Sequence, residues 1–350
     1  MCGEEFAKSM DSHISERNIQ IDMLRAIGMI CVIMGHTGSV FANYIYTFHM
    51  GLFFFVTGYL SYRGGVRRAK YVISKKVRTL LIPYFIFWIF SMFVAEMQSY
   101  FGTHQFFIIN MNNLLGLILG GHWLADYSIN FSLWYFQLCF IASIIFEVII
   151  RRFSEKMKCL LFLFFILITL PFQTFIPGRP AFHINVLPSA LVFMLMGYWF
   201  YFFEKKYDYN NKILISVSLL IIGWRISTTH YGNIAGIESN IYYIGAFCTI
   251  CGLYYYTYNI KWKIIKNFLQ YVGRKTVWIL GLHSLLIPSA FGFVSYMLDG
   301  AGIKNMFLIN MCGVWCTIIL CCGVGEFCTF LISYGISKVD KLKIKKYGIR

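Results

Sequence analysis

Apolar residues run through this 350-residue chain in long, nearly unbroken stretches, and polar residues gather in short clusters between them. A strand lining a membrane barrel alternates apolar and polar positions, whereas a spanning helix holds about 20 apolar residues in succession. The second pattern is the one present. It predicts about ten transmembrane helices, near 22–42, 44–62, 79–98, 131–150, 159–176, 186–203, 212–229, 238–258, 275–298 and 305–336. The expected fold class is all-α, a polytopic integral membrane protein. Its expected divisions are a polar segment 1–20, a transmembrane domain 21–336 and a basic tail 337–350.

Composition agrees, with 58% hydrophobic residues, 13% charged and a mean hydropathy of +0.64. Charge then sets the orientation. Of the 31 Lys and Arg, Arg25 and Arg225 fall inside spans, and Arg179 and Lys304 fall between spans on one side. All the others gather on the opposite side. Positive charge stays in the cytoplasm, so both termini are expected there. The +16 net charge is thus mostly a topology signal, and no basic face is left over for nucleic acid.

The first twenty residues carry Glu4, Glu5, Asp11 and Glu16 and lack the apolar core of a signal peptide, so the first span is expected to be retained. Most of the eleven cysteines lie inside spans, where a thiol acts as a small apolar side chain. Cys248 and Cys251 have the spacing of a metal pair, but no second pair lies nearby and no metal site is expected.

Ionisable side chains inside a bilayer are costly and mark functional candidates. Arg25 and His36 share the first span, and their separation brings His36 back to the face of Arg25 about 16 Å further along the helix. A fixed cation near the cytoplasmic surface and a titratable imidazole deeper in suggest a site entered from that side. Each has a plainer reading as well: Arg25 as an anchor that snorkels to the interface or pairs with Asp22, and His36 as a buried histidine bonded between helices.

Further motifs follow in order. They are Phe48-His-Met-Gly-Leu-Phe-Phe-Phe-Val-Thr-Gly-Tyr-Leu60, the basic Lys75-Lys-Val-Arg78 before Pro83, Phe131-Ser-Leu-Trp-Tyr-Phe136, and Val272-Gly-Arg-Lys-Thr-Val-Trp-Ile-Leu-Gly-Leu-His283. Together with Ile21-Asp-x-Leu-Arg25 and His36, these segments resemble the acyltransferase-3 family of membrane O-acyltransferases that decorate surface carbohydrate. The Phe-His-Met and Phe-Phe-Phe-x-x-Gly-Tyr phrases are most similar to its fucose 4-O-acetylase-like branch. Three positions depart from the pattern: Gly51 stands where the branch has Pro, Thr57 where the family has Ser, and Lys75 where it has Arg. Lysine keeps the charge but lacks the planar fork that grips phosphate with two bonds.

The resemblance implies an O-acetyltransferase of the bacterial plasma (inner) membrane, with no permanently bound cofactor and acetyl-CoA as co-substrate. Its implied partners are membrane lipids and a glycan or lipid-linked sugar acceptor. His36 would be the base, with Arg25 at the donor or orienting the site. Lys75 and Arg78 would hold donor phosphates, against attraction to anionic lipid as the plainer reading. His49, Trp134 and Tyr135 are acceptor-side or supporting candidates, against a polar cap and an aromatic interface belt. His283 reads as structural, and Glu96, Glu147, Glu238 and Glu326 are equal candidates to orient His36. Residues 99–130, with His104, His122 and Asp126, are an expected acceptor entrance. A transporter or flippase for lipid-linked sugar is the rival class, although the matching halves typical of transporters are not seen.

Overall fold

The computed structural model describes residues 18–61, 69–103, 116, 118–119, 130–207 and 209–347, and these are helical almost throughout. Helix α1 (Ile19–His36) starts at Asn18, whose side-chain oxygen accepts the Ile21 N–H at 3.1 Å. That caps one of the N–H groups a first helical turn leaves bare. The helix stops at His36, six residues short of the expected 42. Gly38 adopts φ +65° just beyond it, and the Thr37 N–H folds back to the Met34 carbonyl, an ending that favours glycine. The chain turns through α2 (Ala42–Tyr46) into α3 (His49–Ser61).

Helix α4 (Ala69–Lys76) continues through a π-helical turn, Val77–Leu81, into α5 (Ile82–Thr103). Pro83 accounts for the widened turn, because it lacks an N–H and its ring would press on the carbonyl four residues back. The Ile82 N–H bonds instead to Val77, five residues back. A 3-10 turn (Phe131–Leu133) leads into α6 (Trp134–Arg152), and α7 (Glu155–Phe175) follows. A second 3-10 turn, Ala181–Val186, enters α8 (Leu187–Lys206). Then come α9 (Lys212–Thr229), a two-stranded antiparallel hairpin pairing Gly232 with Ile237, and α10 (Tyr242–Thr257). Helices α11 (Lys263–Arg274), α12 (Thr276–Gly300) and α13 (Met306–Tyr347) complete the chain.

The protein is an all-α polytopic membrane protein. Among the described residues, eight helices are long and apolar enough to cross a bilayer. The two other expected spans are also helices, α3 of 13 residues and α10 of 16. Both are enclosed by neighbours, so protein rather than lipid sets their length. Residues 263–274, read from sequence as part of a loop, form a helix. Helix α13 runs unbroken through the expected boundary at 337. Arg63, Arg67, Arg68, His104, His122 and Asp126 lie outside the described residues.

Helix α3 packs against α8 with backbones touching. A Cβ on Gly58 would stand 1.9 Å from the Met194 carbonyl oxygen, and one on Gly197 would stand 2.0 Å from that of Phe55. Small residues permit such approach, which dispersion then stabilises where lipid gives no hydrophobic drive. Gly51 has a similar cause: the Phe193 ring fills the space a side chain would take, 2.7 Å from an ideal Cβ.

Candidate active site

Three histidines from three helices converge. His36, at the last turn of α1 and half-buried, stacks on His283 of α12 with ring centroids 5.5 Å apart and planes inclined by 24°. Phe131 stands at one edge of this stack, 4.8 Å from His36 and 6.3 Å from His283 between ring centroids. The Tyr46 hydroxyl lies 3.1 Å from His36 Nδ1, and the Tyr46 ring also meets that of His49 at 5.2 Å. His49 and His283 are both buried, and each turns Nδ1 to a backbone carbonyl three or four residues earlier in the chain. His49 Nδ1–H donates to the Ile45 carbonyl at 2.8 Å, and His283 Nδ1–H to those of Ile279 and Leu280 at 3.0 Å. Carbonyls only accept, so Nδ1 carries the hydrogen in both rings and Nε2 keeps its lone pair. His283 Nε2 meets no protein hydrogen-bond partner.

The turn before α6 holds this stack together. Asn130 donates to the Gly281 carbonyl at 2.8 Å and to Ser91 Oγ at 3.0 Å, and its Oδ1 accepts from the Ser284 hydroxyl and the Ser132 backbone N–H. Ser132 Oγ bonds in addition to the Leu280 carbonyl. These buried bonds tie α5, α6 and α12 at the level of His283 and set Phe131 beside His36. Helix α12 continues to Gly300, roughly 25 Å beyond His283, so the cluster lies within the height of the protein rather than at a surface.

From the side rich in Lys and Arg, a cavity of about 360 Å³ rises toward the cluster. Arg25, Lys75, Lys76, Arg151 and Arg274 line it, against one carboxylate, Glu147, which is ion-paired with Arg151. Along α3 the lining runs from Ser61 through Thr57 to Phe53, which is one helical turn from His49. On α12 it reaches Leu280, one turn from His283. The cavity is thus strongly cationic where it opens and apolar where it ends, beside Phe53, Tyr135, Phe136 and Leu280. Such a shape suits an elongated ligand with anionic groups at one end and a reactive group at the other.

Residues 18–326 match the model of a family described as an acyltransferase domain. The chain belongs to the acyltransferase-3 family. It is therefore a multi-pass membrane acyltransferase. No curated protein and no solved structure matches it.

Within this acyltransferase the sequence-read candidates divide into two groups. His36 and His49 join the histidine cluster, with Tyr46 between them. Arg25 and Lys75 line the basic cavity; Arg25 also stands 3.8 Å from Asp22. Arg78, on the π-helical turn, is exposed and is absent from the lining, where Lys76 stands instead. Tyr135, expected beside the acceptor, faces the basic cavity. Trp134 turns away from it and packs on His183 with ring centroids 5.0 Å apart. Neighbouring helical residues diverge by about 100°, so one of the pair had to turn from the other.

Several site residues escaped sequence reading. Lys76, Arg151 and Arg274 look like ordinary positive-inside residues until the fold gathers them. None of the four glutamates named as orienting candidates meets His36; that position is Tyr46's. Glu147 pairs with Arg151, and Glu326 with Lys275 at 2.7 Å. His183 and Phe182 hold φ values of 50° and 56°, a left-handed conformation costing about 1–2 kcal/mol per non-glycine residue. That strain places His183 over Trp134, and no local sequence signal announces it.

Proposed function

We propose that this acyltransferase moves an acetyl group from acetyl-CoA to a hydroxyl of a glycan or lipid-linked sugar. The observation that carries the reading is the cationic cavity ending one turn from the histidine cluster. Five cationic side chains against one carboxylate match the phosphates of coenzyme A. The apolar end suits the thioester arm. Arg25 stands about 16 Å along α1 from His36, too far to touch the reacting carbonyl, so its role is with the donor's anionic part. Lys75, Lys76 and Arg274 share that role. Donor from the basic side and acceptor from the opposite side would meet at His36, with the basic side cytoplasmic and the membrane a bacterial plasma membrane.

The transfer uses the tautomer in which the Tyr46 oxygen accepts from His36. With His36 Nδ1–H donated to the Tyr46 oxygen, Nε2 is free to take the hydroxyl proton. The acceptor oxygen attacks the thioester carbonyl carbon, a C–O bond forms and the C–S bond breaks. The departing thiolate then takes the proton from His36 Nε2, which restores the neutral imidazole. His283 and Phe131 hold the His36 ring in place through this exchange.

Incorporation of label from [acetyl-14C]-CoA into a lipid-linked glycan extract tests the reading. Label recovered as a base-labile ester is expected with purified protein in detergent. Absence of both donor binding and transfer, across a broad acceptor set and with folding confirmed, would favour the transporter class instead.

A further inference from the structure

Helix α11 is too short to cross a bilayer, about 18 Å for its 12 residues, and its side chains divide between two faces. Ile264, Ile265, Phe268, Leu269 and Val272 form one helical stripe, and Lys263, Lys266, Asn267, Gln270 and Arg274 form the other. The protein covers only part of the apolar stripe. Leu269 and Val272 are buried, and Gly273 meets α1 so closely that a Cβ there would stand 1.8 Å from the Asp22 carbonyl oxygen. Ile264 is 84% exposed, Trp262 75% and Ile265 42%. Lys261, Lys263 and Lys266 meet no carboxylate among the described residues.

An uncovered apolar row beside a row of lysines, on the basic side of a membrane protein, fits a specific surface. Aliphatic and indole side chains enter the boundary between headgroups and acyl chains, and lysines on the adjoining face draw anionic headgroups. We propose that α11 is an interfacial helix that seats Trp262, Ile264 and Ile265 in the basic-side leaflet and takes anionic phospholipid headgroups on Lys261, Lys263 and Lys266. Its far end, Gly273 and Arg274, lines the basic cavity. Lipid that holds α11 therefore also holds Arg274 at the cavity and braces α1 beside Asp22 and Arg25. The docking itself does not depend on acetyl transfer.

Hydrogen–deuterium exchange of the full chain in nanodiscs tests this without donor or acceptor. Discs of phosphatidylcholine are compared with discs of phosphatidylcholine mixed with phosphatidylglycerol. Amides of 262–274 are expected to exchange about threefold more slowly in the anionic discs, while those of α3 stay unchanged. The combined Lys261→Gln, Lys263→Gln, Lys266→Gln variant is expected to lose that difference. The combined Ile264→Ser, Ile265→Ser variant is expected to exchange faster than wild type even in phosphatidylcholine. Equal exchange of the wild type in both discs, or a difference that survives the lysine replacements, would overturn headgroup binding. Unchanged exchange in the serine variant would overturn the seating.

Discussion

His36 and His283 stack with ring centroids 5.5 Å apart, joining the first described helix to one near the other end of the chain. The contact fixes the plane of an imidazole that Tyr46 holds by one nitrogen and Phe131 meets at 4.8 Å, which leaves its second nitrogen for an acceptor. That second nitrogen is Nε2. In the proposed transfer, a base held this way loses little freedom when it takes a proton, which is what preorganisation means for such a group. His283 is itself braced by its own helix and by the Asn130 cluster, so the rigidity originates in buried backbone bonds.

Replacing His283 with Leu removes the stacking partner while keeping most of the volume. Aromatic stacking is worth about 0.5–1.5 kcal/mol, so kcat should fall about 3- to 10-fold with the donor KM unchanged. Steady-state coenzyme A release checks this. An equal loss in kcat/KM caused by KM alone would place His283 in donor binding instead.

Tyr46→Phe keeps the ring contacts with His36 and His49 but deletes the hydroxyl at His36 Nδ1. One hydrogen bond of ordinary strength corresponds to a loss of up to about tenfold in kcat. The same assay reads it, and a variant as fast as wild type would show that the Tyr46 hydroxyl does not support the proton transfer.

Lys76→Gln and Arg274→Gln each remove a cation from the cavity lining. The donor KM should rise about 5- to 30-fold at low salt with kcat little changed, and the effect should shrink as salt screens the remaining charges. Arg78→Gln should raise it less, because Arg78 is exposed and off the lining. Titration of acetyl-CoA against the purified variants ranks them.

Gly58→Ala should destabilise the protein by several kcal/mol or prevent assembly, because its Cβ would collide with the Met194 backbone. Gly323→Ala, with nothing within 4 Å of its added Cβ, should shift stability by less than about 1 kcal/mol. Thermal unfolding in detergent, followed by size-exclusion chromatography, separates the two.

Much of this arrangement was legible in the sequence because membrane helices are written in long apolar runs. His36 and Arg25 stood out for the same reason, as charged or titratable groups in hydrocarbon. What was not legible depended on packing between distant segments. Tyr46 is one tyrosine of 24, and only the turn at Gly38 brings it back to His36. Lys76 and Arg274 are cations among many on one side, and they converge on one cavity because α11 packs on α1 while α4 packs on α6. The early stop of α1 was hidden because residues 37–42 are not polar enough to interrupt the apolar run, whereas the backbone at Gly38 is decisive. The stripe of α11 was masked by its shortness and by flanking lysines that resemble a loop.

In the proposed mechanism His36 takes the acceptor's proton beside a donor bound in the basic cavity. Wild type and His36→Ala should be compared for acetyl-CoA binding by calorimetry and for glycan-dependent coenzyme A release. His36→Ala is expected to bind donor about as well as wild type and to lose release by a factor of about 100 or more. Glycan-dependent release that persists in His36→Ala at the wild-type rate would contradict it.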